Sequence, residues 1–242
     1  MKLARKAARI AHRLHLRVLG LRGRDAYPPG SVEWLILSEA WYGGYYTGVR
    51  RNRVSPLDPR SPQQLQVGGM TGGDRMSPLH NGYAPAYAQH LAPFVRAGGE
   101  LTLLEVGILR GTGLAIWSDL FPRAHVLGLD IDLSNYRSND EFLRGRGAFA
   151  AGNVRVAEFD QYAPDVGALG TLLAGRRIDV VIDDGCHADE AILRTLEAVR
   201  GLLADRFVYF IEDNKTVLPA LRARFPAYRY DPRGPLTVVT PA

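Results

Sequence analysis

From residue 101 onward, short apolar runs alternate with segments of helix length. Leu101–Gly107, His125–Ile131, Val154–Phe159, Ile178–Asp183 and Phe207–Glu212 are largely apolar, and each closes on or beside a glycine or an acid. Between them, residues 112–121, 164–174 and 187–203 have the length and composition of helices. Strands that are apolar throughout are those covered on both faces, as in parallel sheets with crossover helices. The pattern therefore predicts a doubly wound α/β fold. A short helix over 217–224 follows, and then Tyr228–Tyr230 and Leu236–Thr240, close enough in sequence to pair as an antiparallel edge.

Upstream the pattern is different. Leu3, Ala7, Ile10, Leu14, Val18 and Leu21 recur at steps of three and four, the spacing of one helical face. Tyr27-Pro28-Pro29-Gly30 punctuates its end, and residues 31–48 read as partly helical, with Trp41, Tyr42, Tyr45 and Tyr46 around Gly43-Gly44. The proline- and glycine-rich stretch 50–73 reads as a long ordered loop, a kind of segment that is usually functional when it occurs in a compact domain. The expected organisation is a basic amphipathic helix (1–24), a cap and substrate-loop region (25–98), and the α/β domain (99–242).

Charge sharpens this division. Of the 242 residues, positions 1–24 carry eight basic side chains and no acid, while positions 25–242 carry 22 basic against 25 acidic, a net −3. A nucleic-acid-binding domain carries its positive charge on the folded body, so this distribution argues against a nucleic-acid partner. An Arg-rich amphipathic helix suits peripheral contact with an anionic membrane, or packing on the body or on a second subunit as in a homo-oligomer. The single cysteine, Cys186, excludes a disulfide framework and a thiolate zinc cluster and fits a reducing, cytoplasmic setting. No apolar run is long enough for a membrane-spanning helix.

In doubly wound sheets, ligands sit at the carboxyl ends of the strands. The first strand leads into Leu104-Glu105-Val106-Gly107-Ile108-Leu109-Arg110-Gly111-Thr112-Gly113, where Gly107 and Gly111 allow a sharp turn and close approach to a ligand. Glu105 would repel a pyrophosphate but accept hydrogen bonds from an ammonium, which favours S-adenosylmethionine over a dinucleotide. Asp130, about 20 residues on, is placed to hold a ribose diol. Asp160 is placed for an adenine amine, or to cap the next helix. Asp183-Asp184-Gly185-Cys186-His187 and Glu212-Asp213-Asn214-Lys215 end neighbouring strands, which lie about 4.8 Å apart. Hard oxygen donors without thiolates suit Mg²⁺ or Mn²⁺; alternatively, Asp184 caps a helix and Glu212 and Asp213 pair with arginines. His187, three positions after Asp184, is the candidate general base, with Lys215 as its rival. Cys186 reads as a small buried filler rather than a nucleophile.

The succession Leu104-Glu105-Val106-Gly107, Trp117-Ser118-Asp119-Leu120-Phe121-Pro122, Gly128-Leu129-Asp130-Ile131, Ile182-Asp183-Asp184-Gly185-Cys186-His187 and Ile211-Glu212-Asp213 resembles the metal-dependent sugar O-methyltransferases of bacterial natural-product pathways, the mycinamicin and macrocin type. Gly72-Gly73-Asp74-Arg75 and His80-Asn81-Gly82-Tyr83-Ala84-Pro85-Ala86-Tyr87 are similar to that family's segment before the first strand, so the resemblance spans about residues 70–215. Methyltransferases of methylmannose polysaccharide are related sequences. The resemblance implies a Rossmann-like class I methyltransferase sheet and methyl transfer from S-adenosylmethionine to a sugar or glycan hydroxyl. It implies Mg²⁺ on Asp184, Glu212 and Asp213, His187 as base, and cofactor contacts from Glu105, Gly107, Asp130 and Asp160, with Tyr83 closing over the methionine end. Gly111 and Asp183 are counted with the cofactor contacts as neighbours of these groups. Cys186 stands where serine is usual, and Ile108-Leu109-Arg110 replaces the middle glycine of the turn. Trp41, Tyr45, Tyr46, Arg75 and His80 are candidates for contact with a sugar. A catechol acceptor, or a non-catalytic protein binding nucleic acid or membrane through its basic tail, are the competing expectations.

Overall fold

The computed structural model of the chain describes residues 10, 14, 16–18, 20–43, 52–60, 75–78 and 80–242. The elements are α1 (Val32–Tyr42), α2 (Ala84–Ala97), β1 (Thr102–Val106), α3 (Thr112–Leu120), β2 (His125–Asp130), α4 (Ser134–Gly145) and β3 (Val154–Glu158). They continue with α5 (Val166–Leu173), β4 (Ile178–Asp183), α6 (Asp189–Val199), β5 (Leu203–Ile211), α7 (Leu218–Arg224), β6 (Tyr228–Arg233) and β7 (Leu236–Pro241). All seven strands join one sheet in the order β3-β2-β1-β4-β5-β7-β6. The first five are parallel, and β7 runs antiparallel between β5 and β6. The doubly wound α/β expectation and the antiparallel edge both hold.

The two faces of the sheet divide by the period-two geometry of a strand. Leu103, Val126, Val180, Ile182, Val208, Phe210 and Val238 point to one core, shared with Trp34 and Leu35 of α1, Tyr87 and Leu91 of α2, and Trp117 of α3. Leu104, Leu127, Leu129, Val181, Tyr209, Ile211 and Val239 point to the other, against Leu169 of α5, Ile192 and Leu196 of α6, and Leu221 of α7. Burial on both sides is what made these strands read as continuous apolar runs.

Local signals set the helix ends. Ser31 caps α1 by accepting the Trp34 amide at 3.3 Å, and Asp165 caps α5 by accepting the Ala168 amide at 2.9 Å. The expected helix over 187–203 starts later, at Asp189, and ends in a 3₁₀ turn. Helices α2 and α4 were not separately expected. α4 has few apolar residues, and α2 was read as part of a motif.

Of the N-terminal stripe, Leu3 and Ala7 lie outside the described residues. Ile10, Leu14, Val18 and Leu21 are exposed, so packing of this face on the body is not what holds it. Arg24 closes the stretch on the body. Its guanidinium lies 2.7 Å from Asp119 of α3 and over the rings of Trp34 and Tyr42. Among the described residues no helix is long and apolar enough to cross a membrane.

Candidate active site

Parallel register carries three chain turns to one edge. Val106 pairs with Asp183, and Asp183 with Ile211. The ladder runs one step further: the Gly107 amide donates to the Leu129 carbonyl (2.7 Å), Asp184 to Val106 (2.8 Å) and Glu212 to Asp183 (2.9 Å). Gly107, Asp184 and Glu212 therefore stand side by side past the strand ends, where a cavity of about 350 Å³ opens. Its size lies within the range of small-molecule sites.

The first turn fits only glycine at Gly107. Its φ is 86°, and a Cβ there would lie 2.1 Å from the Asp184 carbonyl oxygen. Leu109, in place of the middle glycine, adopts φ 43° and is held by its amide bond to Asp130 Oδ2 at 2.9 Å. Gly111 does not line the cavity. It opens α3 at φ 79°, where a Cβ would strike the Tyr136 ring at 2.6 Å. What the structure gives this glycine is a steric role in the turn.

Glu105, Gly107, Asp130 and Asp160 all line the cavity. Glu105 is buried, and burial pushes its carboxyl up. Its Oε1 accepts from Arg75 at 2.8 Å, while Oε2 has no hydrogen-bond partner. A carboxyl on the cavity wall is an acceptor that suits an incoming ammonium. Asp160 accepts from the Ser55 hydroxyl (2.7 Å) and the Tyr162 amide (2.9 Å). It does not cap a helix, since Asp165 does that for α5. Asp132 accepts the amides of Asn52 and Ser134, and Arg53 pairs with Glu158, so residues 52–60 lie across the ends of β2 and β3.

Asp183, counted with the cofactor contacts, does not line the cavity. It is buried, with Gln161 Nε2 on Oδ1 at 2.7 Å and the Tyr209 hydroxyl on Oδ2 at 2.9 Å. Burial raises its pKa to about 6. Gln161 also takes the Cys186 amide at 2.6 Å, so this pair fixes the turn that carries Asp184 and His187. Cys186, expected as a small buried filler, is half-buried, and its sulfur lies 2.8 Å from Arg60 Nη2.

Asp184, His187 and Asp213 each bring one donor atom within 4.8 Å of the others. His187 Nε2 lies 3.8 Å from Asp184 Oδ1, and its Nδ1 is buried without a partner. Asp184 does not cap α6, and His187 precedes that helix rather than starting it. Lys215, the rival base, is exposed and does not line the cavity. Tyr83 does not line it either. Its buried hydroxyl donates to Asp213 Oδ1 at 2.5 Å, joined there by Asn81 at 3.0 Å, so Tyr83 orients that acid. Burial and Asp213 together push its pKa up.

Glu212 takes the alternative expected for it, pairing with an arginine. It is buried, with Oε1 on the Tyr87 hydroxyl and Oε2 on Arg75 Nε at 3.0 Å, and burial pushes its carboxyl well up. Arg75 spreads over three acids, with Nη1 on Glu105 at 2.8 Å and Nη2 on Asp184 at 2.6 Å. Burial alone would lower its pKa, but Glu212, Asp184 and Glu105 raise it well above the usual value. Of the other residues considered for sugar contact, Trp41 instead stacks with Arg146 and donates to its carbonyl. Tyr45 and Tyr46 lie outside the described residues, and His80 does not line the cavity. The sequence offered pairing of Glu212 with an arginine without saying which one, and it gave no signal for the supporting roles of Gln161 and Tyr87; Arg75 was marked only by its place in the segment before β1.

The fold is the Rossmann-like class I methyltransferase sheet. MycE Methyltransferase from the mycinamycin biosynthetic pathway, solved in complex with Mg and SAH, superposes with a TM-score of 0.54 at 20% identity, covering 69% of this chain and 51% of that one. The same values hold for MycE in complex with Mg, SAH and Mycinamycin VI. In sequence, the 8-demethyl-8-alpha-L-rhamnosyl tetracenomycin-C 2'-O-methyltransferase of Streptomyces olivaceus is 30% identical over 143 residues, 55% of this chain and 33% of that protein. The chain thus spans about a third of the length of its curated relative and about half of MycE. No family model matches it.

Proposed function

We propose that the chain is a divalent-metal-assisted O-methyltransferase that moves the methyl of S-adenosylmethionine to a hydroxyl of a sugar-bearing acceptor, such as a glycoside or a polysaccharide precursor. The observation that carries this reading is the convergence of Asp184, His187 and Asp213 on the edge of a cavity also lined by Glu105, Gly107 and Asp130. The resemblance to sugar O-methyltransferases supports it from the sequence side.

The donor set fits both groups. Carboxylates suit Mg²⁺ or Mn²⁺ and leave the His187 imidazole free for a proton, and the Glu105 carboxyl on the cavity wall suits a cationic amino acid end. Asp184 and Asp213 would hold the metal, with Glu212 completing the set. Glu105, the Gly107 turn, Asp130 and Asp160 would hold the cofactor. The bound groups would supply an electrophilic methyl on a sulfonium and acidify the acceptor hydroxyl.

The chain's own residues do the rest. His187 Nε2 takes the hydroxyl proton as the oxygen gains the methyl, and the carbonyl bond from Asn214 holds its backbone in place (2.9 Å). The Glu105 carboxylate fixes the donor's amino end, which sets the line of attack. Arg60, Asp58 and Ser55 wall the cavity on the side of β3 and β4. The deciding experiment is methyl transfer to glycosides and to catechols, each with and without EDTA. Glycoside methylation abolished by EDTA and restored by Mg²⁺ is expected; transfer to catechols alone, or full rate in EDTA, overturns the reading.

A second reading concerns residues 1–24. The exposed Ile10, Leu14, Val18 and Leu21, beside eight basic side chains without an acid, favour peripheral contact with an anionic membrane.

A further inference from the structure

Arg75 is held where it stands by the fold. Glu39 of α1 accepts the amides of Met76 (2.9 Å) and Ser77 (3.2 Å), and the Tyr83 amide donates to the Arg75 carbonyl (2.9 Å). Its side chain, 11% exposed, enters between the ends of β1, β4 and β5 and places a different nitrogen on each of three carboxylates. Gly113 leaves it room, since a Cβ there would lie 2.7 Å from Nη1 and 2.1 Å from Glu105 Oε1.

Two of those carboxylates, Asp184 and Glu212, belong to the proposed metal set. Arg75 and Tyr87 each hold one oxygen of Glu212, and Asp184 has only Oδ1 free of the guanidinium. Three acids crowded at one strand edge repel one another, and the guanidinium among them offsets that repulsion. We infer that Arg75 is an internal cation that takes the metal's place in the metal-free protein, and that loading requires its guanidinium to release Asp184 and Glu212 while keeping Glu105. It is a positioning residue that sets metal affinity through its grip on the ligands. This inference rests on the metal-dependent reading above.

The test is Mn²⁺ binding to the full chain without cofactor, followed by electron paramagnetic resonance, for wild type, Arg75→Lys and Arg75→Met. Loss of the competitor should tighten Mn²⁺ binding in Arg75→Met by about tenfold or more, the equivalent of about 1.4 kcal/mol. Mn²⁺ should also raise the Tm of Arg75→Met more than that of wild type, because the metal then neutralises acids left unpaired. Arg75→Lys, which keeps one charge but not the three-way fork, should fall between. Should Arg75→Met not fold, a crystal of wild type loaded with Mn²⁺ decides alone. Arg75 beyond hydrogen-bonding distance of both Asp184 and Glu212 supports the inference. Arg75 still bonded to both beside a bound Mn²⁺, or equal or weaker binding by a folded Arg75→Met, overturns it and leaves the proposed function standing. No Mn²⁺ uptake by any of the three proteins overturns both.

Discussion

His187 and Asp213 share an uncommon backbone: φ is 58° and 54°, the left-handed region, in residues that are not glycine. Each such residue costs on the order of 1 kcal/mol or more and persists only where its surroundings hold it. Asn214 does so here, donating to the His187 carbonyl at 2.9 Å and to Asp189 at 2.7 Å while its own oxygen accepts the amides of Thr216 and Val217. One donor atom of each of the two side chains lies within 4.8 Å of one of Asp184. Replacing His187 by Ala should therefore lower kcat by ~10²–10⁴-fold, the range for a lost general base, with cofactor affinity by calorimetry within a few-fold of wild type. A full rate in that variant would remove His187 from the chemistry. At Gly107 the effect is on stability. A Cβ 2.1 Å from the Asp184 carbonyl, at φ 86°, should cost Gly107→Ala about 2–3 kcal/mol in urea unfolding. An unchanged midpoint would mean that the β1 and β4 turns are not locked together.

At the scale of elements, the strands were legible because a parallel sheet buries both faces, and their register then delivered Glu105, Asp184 and Glu212 to one edge without further information. The helices before β1 were less legible. Helix α1 has apolar residues nearly all round, from Trp34 to Leu37, because it is sunk between α2 and α3, and so it lacks an amphipathic stripe. Its buried Glu39 reads as an anomaly in sequence and makes sense only opposite the amides of Met76 and Ser77. Glu39→Ala would leave those buried donors unsatisfied, at about 1–3 kcal/mol. Amide exchange at Met76 and Ser77 should accelerate well beyond that of β1 if Glu39 is the clamp that delivers Arg75, and uniform acceleration would argue against it.

For the whole molecule, the basic stretch and the mildly acidic body are separate in chemistry and meet where Arg24 binds Asp119. The full chain should float with vesicles rich in anionic lipid, and a chain lacking residues 1–21 should not, keeping its methyl-transfer rate on a small acceptor. Equal flotation of both, or a shift in subunit number on truncation, would assign the exposed stripe elsewhere. The sequence by itself determined the α/β layering, the strand edge where ligands gather, and the acids and histidine gathered there, because hydrophobic period and chain order are local properties. Only the tertiary structure decided which acids face the cavity. Asp183 turned down to Gln161 and Tyr209, Tyr83 turned to Asp213, and Arg75 came in from a segment 30 residues before Glu105. Such choices depend on which charges and hydroxyls meet across elements distant in sequence, and a buried carboxylate takes whichever donor the packed fold brings within reach.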